Sequence, residues 1–394
     1  MKTYKRILII IVFSQFCCTT LWFASNAVIN QLISNFNLSH NALGHLTSAV
    51  NFGFIIGTLV YAIFNFADRF SPSRVFFVSA VIASLFNLAC ILDFNTLSTL
   101  LSYRFGTGFF LAGIYPVGMK IAADYSEAGL GKALGFLVGA LVLGTASPHI
   151  LNEFSSAFSW KLVFILTSIL ALLGGALMQF LVPNGPYRKP IAKTDVKAFI
   201  TVFKNTDLRK AAFGYFGHMW ELFGFWAFIP VMLVSFNTAN PAAELNVPVL
   251  SFTIIAMGTI ASIVGGYISE KKGVKNTALF ALAASFLCCL LSPLFFRSQS
   301  VFAFVIFMCF WGMVVITDSP MFSTLVANSV SAKNKGTAIT IVNCIGFAIS
   351  IISIQITSLL IDLVSSSYVY MFLALGPLFG LLAFKIKKLN KQKV

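Results

Sequence analysis

The sequence predicts an all-α integral membrane protein of twelve transmembrane helices, arranged as two pseudo-symmetric six-helix bundles. Three observations predict it. Only 10% of the 394 residues are charged while 58% are hydrophobic, the basic residues gather in alternate loops, and the second half of the chain repeats features of the first.

A soluble domain carries roughly 25% charged residues. A chain with mean hydropathy +0.90 would expose more apolar surface than a soluble monomer tolerates, and lipid as the solvent removes the conflict. Between Arg6 and Asp68 there is no charged residue, room for two spans of about 20 residues each. Apolar runs separated by polar breaks place spans 1 to 6 at 7–33, 43–67, 75–92, 98–122, 131–152 and 160–182. Spans 7 to 12 fall at 211–235, 249–268, 276–296, 301–325, 337–361 and 367–384.

The Lys and Arg residues orient these spans. Lys2, Lys5 and Arg6 set the N-terminus in the cytoplasm. The even-numbered loops then hold Arg69 and Arg74, Lys132, a basic central linker, Lys271, Lys272 and Lys275, and Lys333 with Lys335; the tail adds Lys385, Lys387, Lys388, Lys391 and Lys393. Of the 27 Lys and Arg, all but Arg104, Lys161 and Arg297 lie near one face. This positive-inside asymmetry predicts an inner (plasma) membrane protein with both termini cytoplasmic. The net charge of +15 therefore reads as attraction to an anionic leaflet and not to nucleic acid. The basic start before an apolar run also has the form of a signal peptide, but span 1 has a counterpart in the second half and is taken as a retained helix. Cys17, Cys18, Cys90, Cys288, Cys289, Cys309 and Cys344 all fall in apolar runs without ligand spacing, so they read as small core residues, with no metal site or disulfide.

Sliding the chain by 204 residues sets Pro116 on Pro320, Ala123 on Ala327, Ala128 on Ala332 and Trp22 on Trp226, with Gly131-Lys132 beside Lys335-Gly336. A six-plus-six duplication follows. It divides the chain into a bundle over 1–182, a Pro-rich basic cytoplasmic linker over 183–210 and a second bundle with the basic tail over 211–394. The stretch Asp195 to Phe203 in the linker suits an amphipathic helix on the membrane surface.

Span 8 ends in Gly266-Tyr-Ile-Ser-Glu270-Lys271-Lys272-Gly273-Val-Lys275, and span 2 ends in Asp68-Arg69 followed by Arg74. The first resembles throughout, with Glu for Asp, the Gly-x-x-x-Asp-Arg/Lys-x-Gly-x-Arg/Lys signature of the major facilitator superfamily. The second keeps the acid–base pair and lacks both glycines. Arg104-Phe-Gly-Thr-Gly108 in span 4 is similar to the Arg-x-x-x-Gly core of that family's span-4 motif, and the resemblance covers essentially the whole chain. Gly266 and Gly273 permit close helix approach and a tight turn. The acids Asp68 and Glu270, with Arg69, Arg74, Lys271 and Lys275, suit a charge latch on the cytoplasmic side between the halves; the other reading is that they mark loop boundaries. Gly135, Gly139, Gly144 and Pro148 of span 5 partly resemble the family's antiporter motif, with Ala140 where its proline is expected.

The resemblance implies a secondary transporter working by alternating access, its central cavity lined by spans 1, 4, 7 and 10. An ionisable group near mid-bilayer costs roughly 2.5–3.5 kcal/mol on insertion scales and marks function. Arg104, His218, Glu221 and Asp318 are such groups. Glu221 lies near the midplane with His218 three residues earlier on the same face, so the pair suits proton binding and release as solvation changes; the alternative is a static hydrogen-bonded pair. Asp318, before Ser319 and Pro320, is a second protonation site, a counter-ion for Arg104, or a polar cap on a proline kink. Arg104 suits a substrate carboxylate or phosphate, or an internal acid. Lys120 is expected to snorkel to the interface. Trp22, Asn26, Trp226 and Asn343 are candidate cavity residues.

The expected function is transport of a small organic solute, an organic anion or zwitterion taken up with protons, by a monomer in a lipid bilayer. Proton-antiport efflux of apolar or cationic compounds is the alternative, and a transporter-like receptor the second. Nucleotide, zinc and nucleophile-elbow motifs are absent from the sequence, so neither a cofactor nor an enzymatic activity is expected.

Overall fold

A computed structural model describes residues 2–125, 130–155, 159–188, 201–331, 334–365 and 367–385. Among the described residues every regular element is a helix. Among the described residues ten helical stretches are long and apolar enough to cross a membrane, and they fall on spans 2 to 11; the shorter apolar helices Arg6–Thr19 and Val369–Lys385 fall on spans 1 and 12. Large apolar side chains such as Phe180, Phe280 and Phe302 stay exposed, as expected where lipid covers the surface. The seven cysteines are free thiols, six of them buried.

Four spans are broken. Span 4 runs as Leu97–Leu111 and Tyr115–Asp124, span 10 as Val301–Thr317 and Ser319–Asn328. The restarts carry Pro116 and Pro320 in their first turn, where a missing N–H and a fixed φ do no harm, whereas the turn before them cannot continue. These pieces begin at positions related by the same 204-residue shift, as do the second pieces' ends, so the duplication extends to the breaks. Ala128 and Ala332 lie outside the described residues.

Span 1 divides without proline into Lys2–Thr19, Ala24–Ala27 and Ile29–Phe36. There the Thr19 hydroxyl donates to Gln15 O (2.9 Å) and Thr20 to Cys17 O (2.7 Å), a local competition that weakens the helical ladder. Span 12 is a 3₁₀ segment, Val369–Ala374, followed by Leu375–Lys385.

The chain enters the central linker tied to the first bundle. Ser73 donates to Val182 O, Tyr125 to Pro183 O, and Arg188 to the Asp68 and Phe70 carbonyls. The expected surface helix over Asp195–Phe203 lies mostly outside the described residues; Val202–Lys204 is a 3₁₀ turn. The tail beyond Lys385 lies outside them as well.

The halves meet at the face opposite the linker and at mid-depth. Gln355 Nε2 donates to Gly44 O (3.0 Å) and Ser48 Oγ (2.7 Å), and Asn246 Nδ2 to Glu153 Oε1 (2.9 Å). Deeper, Asn51 Nδ2 donates to Ser350 Oγ at 3.1 Å. The Trp22 ring lies 4.9 Å from Phe54, 5.8 Å from Phe347 and 6.1 Å from Phe223 between centroids. Toward the linker face the walls part. Gly135 of span 5 and Gly266 of span 8 both border a cavity of about 230 Å³, and a Cβ on either would meet nothing.

Candidate functional site

Each half holds a buried polar cluster at mid-depth. In the first, the break in span 1 frees the Leu21 and Trp22 carbonyls, and Arg104 takes both: Nη2 donates to Leu21 O at 2.9 Å and Trp22 O at 2.6 Å, and Nη1 to Asn87 Oδ1 at 2.9 Å. Asn87 in turn donates to Phe164 O, Thr167 Oγ1 and Ser168 Oγ, so one guanidinium joins spans 1, 3, 4 and, through Asn87, 6. Arg104 is 0% exposed. In this conformation its terminal nitrogens bond to two backbone carbonyls that a broken helix cannot satisfy itself and to Asn87, while Nε is buried without a partner. It is no counter-ion to Asp318, which pairs elsewhere.

In the second half the expected His218–Glu221 pair is not formed. Glu221 accepts from Trp311 Nε1 (2.8 Å), Ser285 Oγ (2.8 Å) and Cys289 Sγ (3.3 Å), and so faces spans 9 and 10 inside its own bundle. His218 Nδ1 stands instead 2.7 Å from Asp318 Oδ1, both side chains essentially unexposed. Residues three apart on a helix differ by about 60° in direction, enough here for one to meet span 9 and the other the break in span 10. Asp318 stands at the break itself, following Val301–Thr317 and preceding Ser319–Asn328. Tyr215, one turn before His218, stacks tilted on its imidazole at 5.8 Å between centroids.

The remaining cavity candidates separate. Trp22 and Trp226 both reach the centre, each packing on Phe223; Trp22 Nε1 donates to Asn51 Oδ1 at 3.1 Å, and Trp226 Nε1 is buried without a partner. Asn26 donates to Thr47 Oγ1 at 2.8 Å and lines a cavity on the face away from the linker. Asn343 is half-buried on span 11.

On the linker face the two signature loops bind within their own halves, and the expected latch across them is open. Asp68 pairs with Lys120 (3.1 Å), which also reaches Asp124 (3.3 Å). Lys120 is thus no idle snorkelling side chain; its four-residue spacing to Asp124 is the signal that foretells part of this. Among the described residues Arg69, Arg74, Glu270 and Lys271 form no ion pair, and Lys275 lies over the Phe384 ring at 5.7 Å. Gly273 has φ +85° and turns span 8 directly into span 9. Gly266 brings no helix close; the approach is made by its neighbour Gly265, whose Cβ would press on Thr317.

A family model described as Major Facilitator Superfamily matches residues 11–354 and, again, 211–392. The hexuronate transporter of Bacillus subtilis (strain 168) is 27% identical over 72% of this chain and 68% of its own. The niacin transporter NiaP of Acinetobacter baylyi is 25% identical over 69% and 70%. A bacterial homologue of the human lysosomal transporter Spinster, solved in an inward-facing, unoccupied conformation, superposes with TM-score 0.70 at 15% identity, over 97% of this chain and 95% of that one.

Proposed function

The chain belongs to the major facilitator superfamily, and we propose that within it this is a proton-coupled secondary transporter whose coupling group is the His218–Asp318 pair. One observation carries the reading: a histidine and a carboxylate, both shut away from solvent, face each other at 2.7 Å between span 7 and the break of span 10. With a shared proton the pair is net neutral and tolerates burial; without it the pair carries a net charge that a low-dielectric site penalises. Proton release therefore belongs to a conformation in which water reaches the pair, and that links proton occupancy to the rocking of the halves. Glu221, held by three donors inside its own bundle, serves as an anchor of that bundle.

The linker face is assigned to the cytoplasm of an inner membrane by its Lys and Arg, so the ties of Gln355 and Asn246 between the halves lie on the outer side and the unlatched signature loops on the inner one. Hexuronate and niacin are chemically unlike each other, so neither is carried over as the solute. The test is purified protein in liposomes with an internal pH reporter and an imposed proton gradient, given pooled solutes. Proton movement that requires one solute, and is lost in Asp318→Asn, is expected. Solute entry with a silent reporter, unchanged by Asp318→Asn, would remove the pair from its role.

A further inference from the structure

The halves enclose a second cavity, of about 500 Å³, on the face away from the linker. Along span 7, Phe223 of the central ring cluster lies midway between His218 and the cavity's Phe228, so this vestibule is set apart from the coupling pair by that cluster. Its volume is in the range of small-molecule sites.

Two of its wall groups are buried and lack partners. His149 of span 5 is 2% exposed and Ser251 of span 8 is 0% exposed, and neither His149 Nε2 nor Ser251 Oγ has a hydrogen bond in the protein. They come from opposite halves and border the same space. Buried polar atoms are nearly always satisfied, so two orphans on one cavity point to a polar occupant. Asn30 and Gln31 add amides, each with donors and acceptors on one planar group, an arrangement suited to neighbouring hydroxyls. The described lining contains no Lys or Arg, and the exposed carboxylate Asp362 stands in it; an anion finds no fixed positive charge there and one negative charge.

We infer that this vestibule is a binding station for a small uncharged polyhydroxyl solute, held between His149 and Ser251, where the transported compound lodges before the ring cluster parts. The inference rests on the transporter reading above. A solute bridging spans 5 and 8 also ties the halves together on this face.

The test uses a reporter, His40→Cys, on the exposed rim, in open membrane fragments so that both faces meet the reagent. A charged methanethiosulfonate is the label, with unsubstituted protein as the background control. D-glucose and its anionic counterpart gluconate are the probes. Glucose is expected to slow labelling about threefold or more and gluconate not, while adding Ser251→Ala or His149→Leu raises the half-protecting glucose concentration about five- to tenfold, one hydrogen bond each. Equal protection by both probes, or none by glucose, overturns the inference. Should His149→Leu fail to fold, Ser251→Ala removes a single oxygen and carries the same comparison. Glucose protection with no solute-dependent proton movement sinks the coupling reading and leaves the vestibule; proton movement without protection does the reverse.

Discussion

Replacing Arg104 by methionine separates a structural guanidinium from one that holds a solute. The stem is kept, and three buried acceptors lose their donors: Leu21 O, Trp22 O and Asn87 Oδ1. Orphaned buried acceptors cost about 1–3 kcal/mol each, and the lower end applies because a chain unfolded within the bilayer also finds partners. Against this stands relief. Among the described residues no acid lies within ion-pair distance of Arg104, so the variant no longer buries an uncompensated cation. The balance is a loss of about 2–4 kcal/mol, a fall in Tm of about 2–5 °C for a chain of this size. Arg104→Lys keeps the charge but not the fork, leaves at least one carbonyl unmet and is expected to fall between. The assay is thermal unfolding in detergent beside solute half-saturation in liposomes. Arg104→Met melting like the unsubstituted protein, with half-saturation about tenfold higher, would place the guanidinium on the solute and refute the reasoning.

Glu221→Gln keeps an acceptor for Trp311 Nε1 and is expected to retain proton movement with Tm nearly unchanged, whereas Glu221→Ala strands the Trp311, Ser285 and Cys289 donors and costs about 2–4 kcal/mol by the same thermal assay. Gly108→Ala drives a methyl into the Val50 carbonyl where spans 2 and 4 touch and destabilises by about 1–3 kcal/mol. Gly266→Ala, with open space before it, stays within about 0.5 kcal/mol. Gln355→Ala deletes two bonds that close the halves opposite the linker, so labelling of a reporter at the buried Ser358, Ser358→Cys, should rise about fivefold.

What the sequence discloses follows from which forces act along the chain. Twelve spans are legible because lipid demands long apolar runs, and the break of span 10 is legible because Pro320 imposes it locally; the same signal stands at Pro116, although the apolar run of span 4 reads as continuous. The break in span 1 is not, since Thr19 and Thr20 bend a helix only when their hydroxyls turn back on the carbonyls behind them. Arg104 is conspicuous as a buried cation, yet two of its partners are backbone oxygens, which leave no mark in a side-chain pattern. His218 and Glu221 look like a pair by spacing alone; spacing sets their angle on span 7 but not which neighbour each direction meets. The vestibule depends on spans 5 and 8 coming together across the halves, and His149 and Ser251 are ordinary residues until they do.

Span 7 remains a single helix of 34 residues, Thr206–Ala239, although Pro230 lies within it. At 1.5 Å per residue it is about 51 Å long, well beyond a hydrocarbon core of about 30 Å, so both ends reach water. His218 and Glu221 both lie within five residues of its middle. When a stiff beam tips about its centre the ends sweep widely and the centre hardly travels. A group mounted there need not be carried from one aqueous compartment to the other: each compartment is brought to it in turn, and the displacement is borne by the ends.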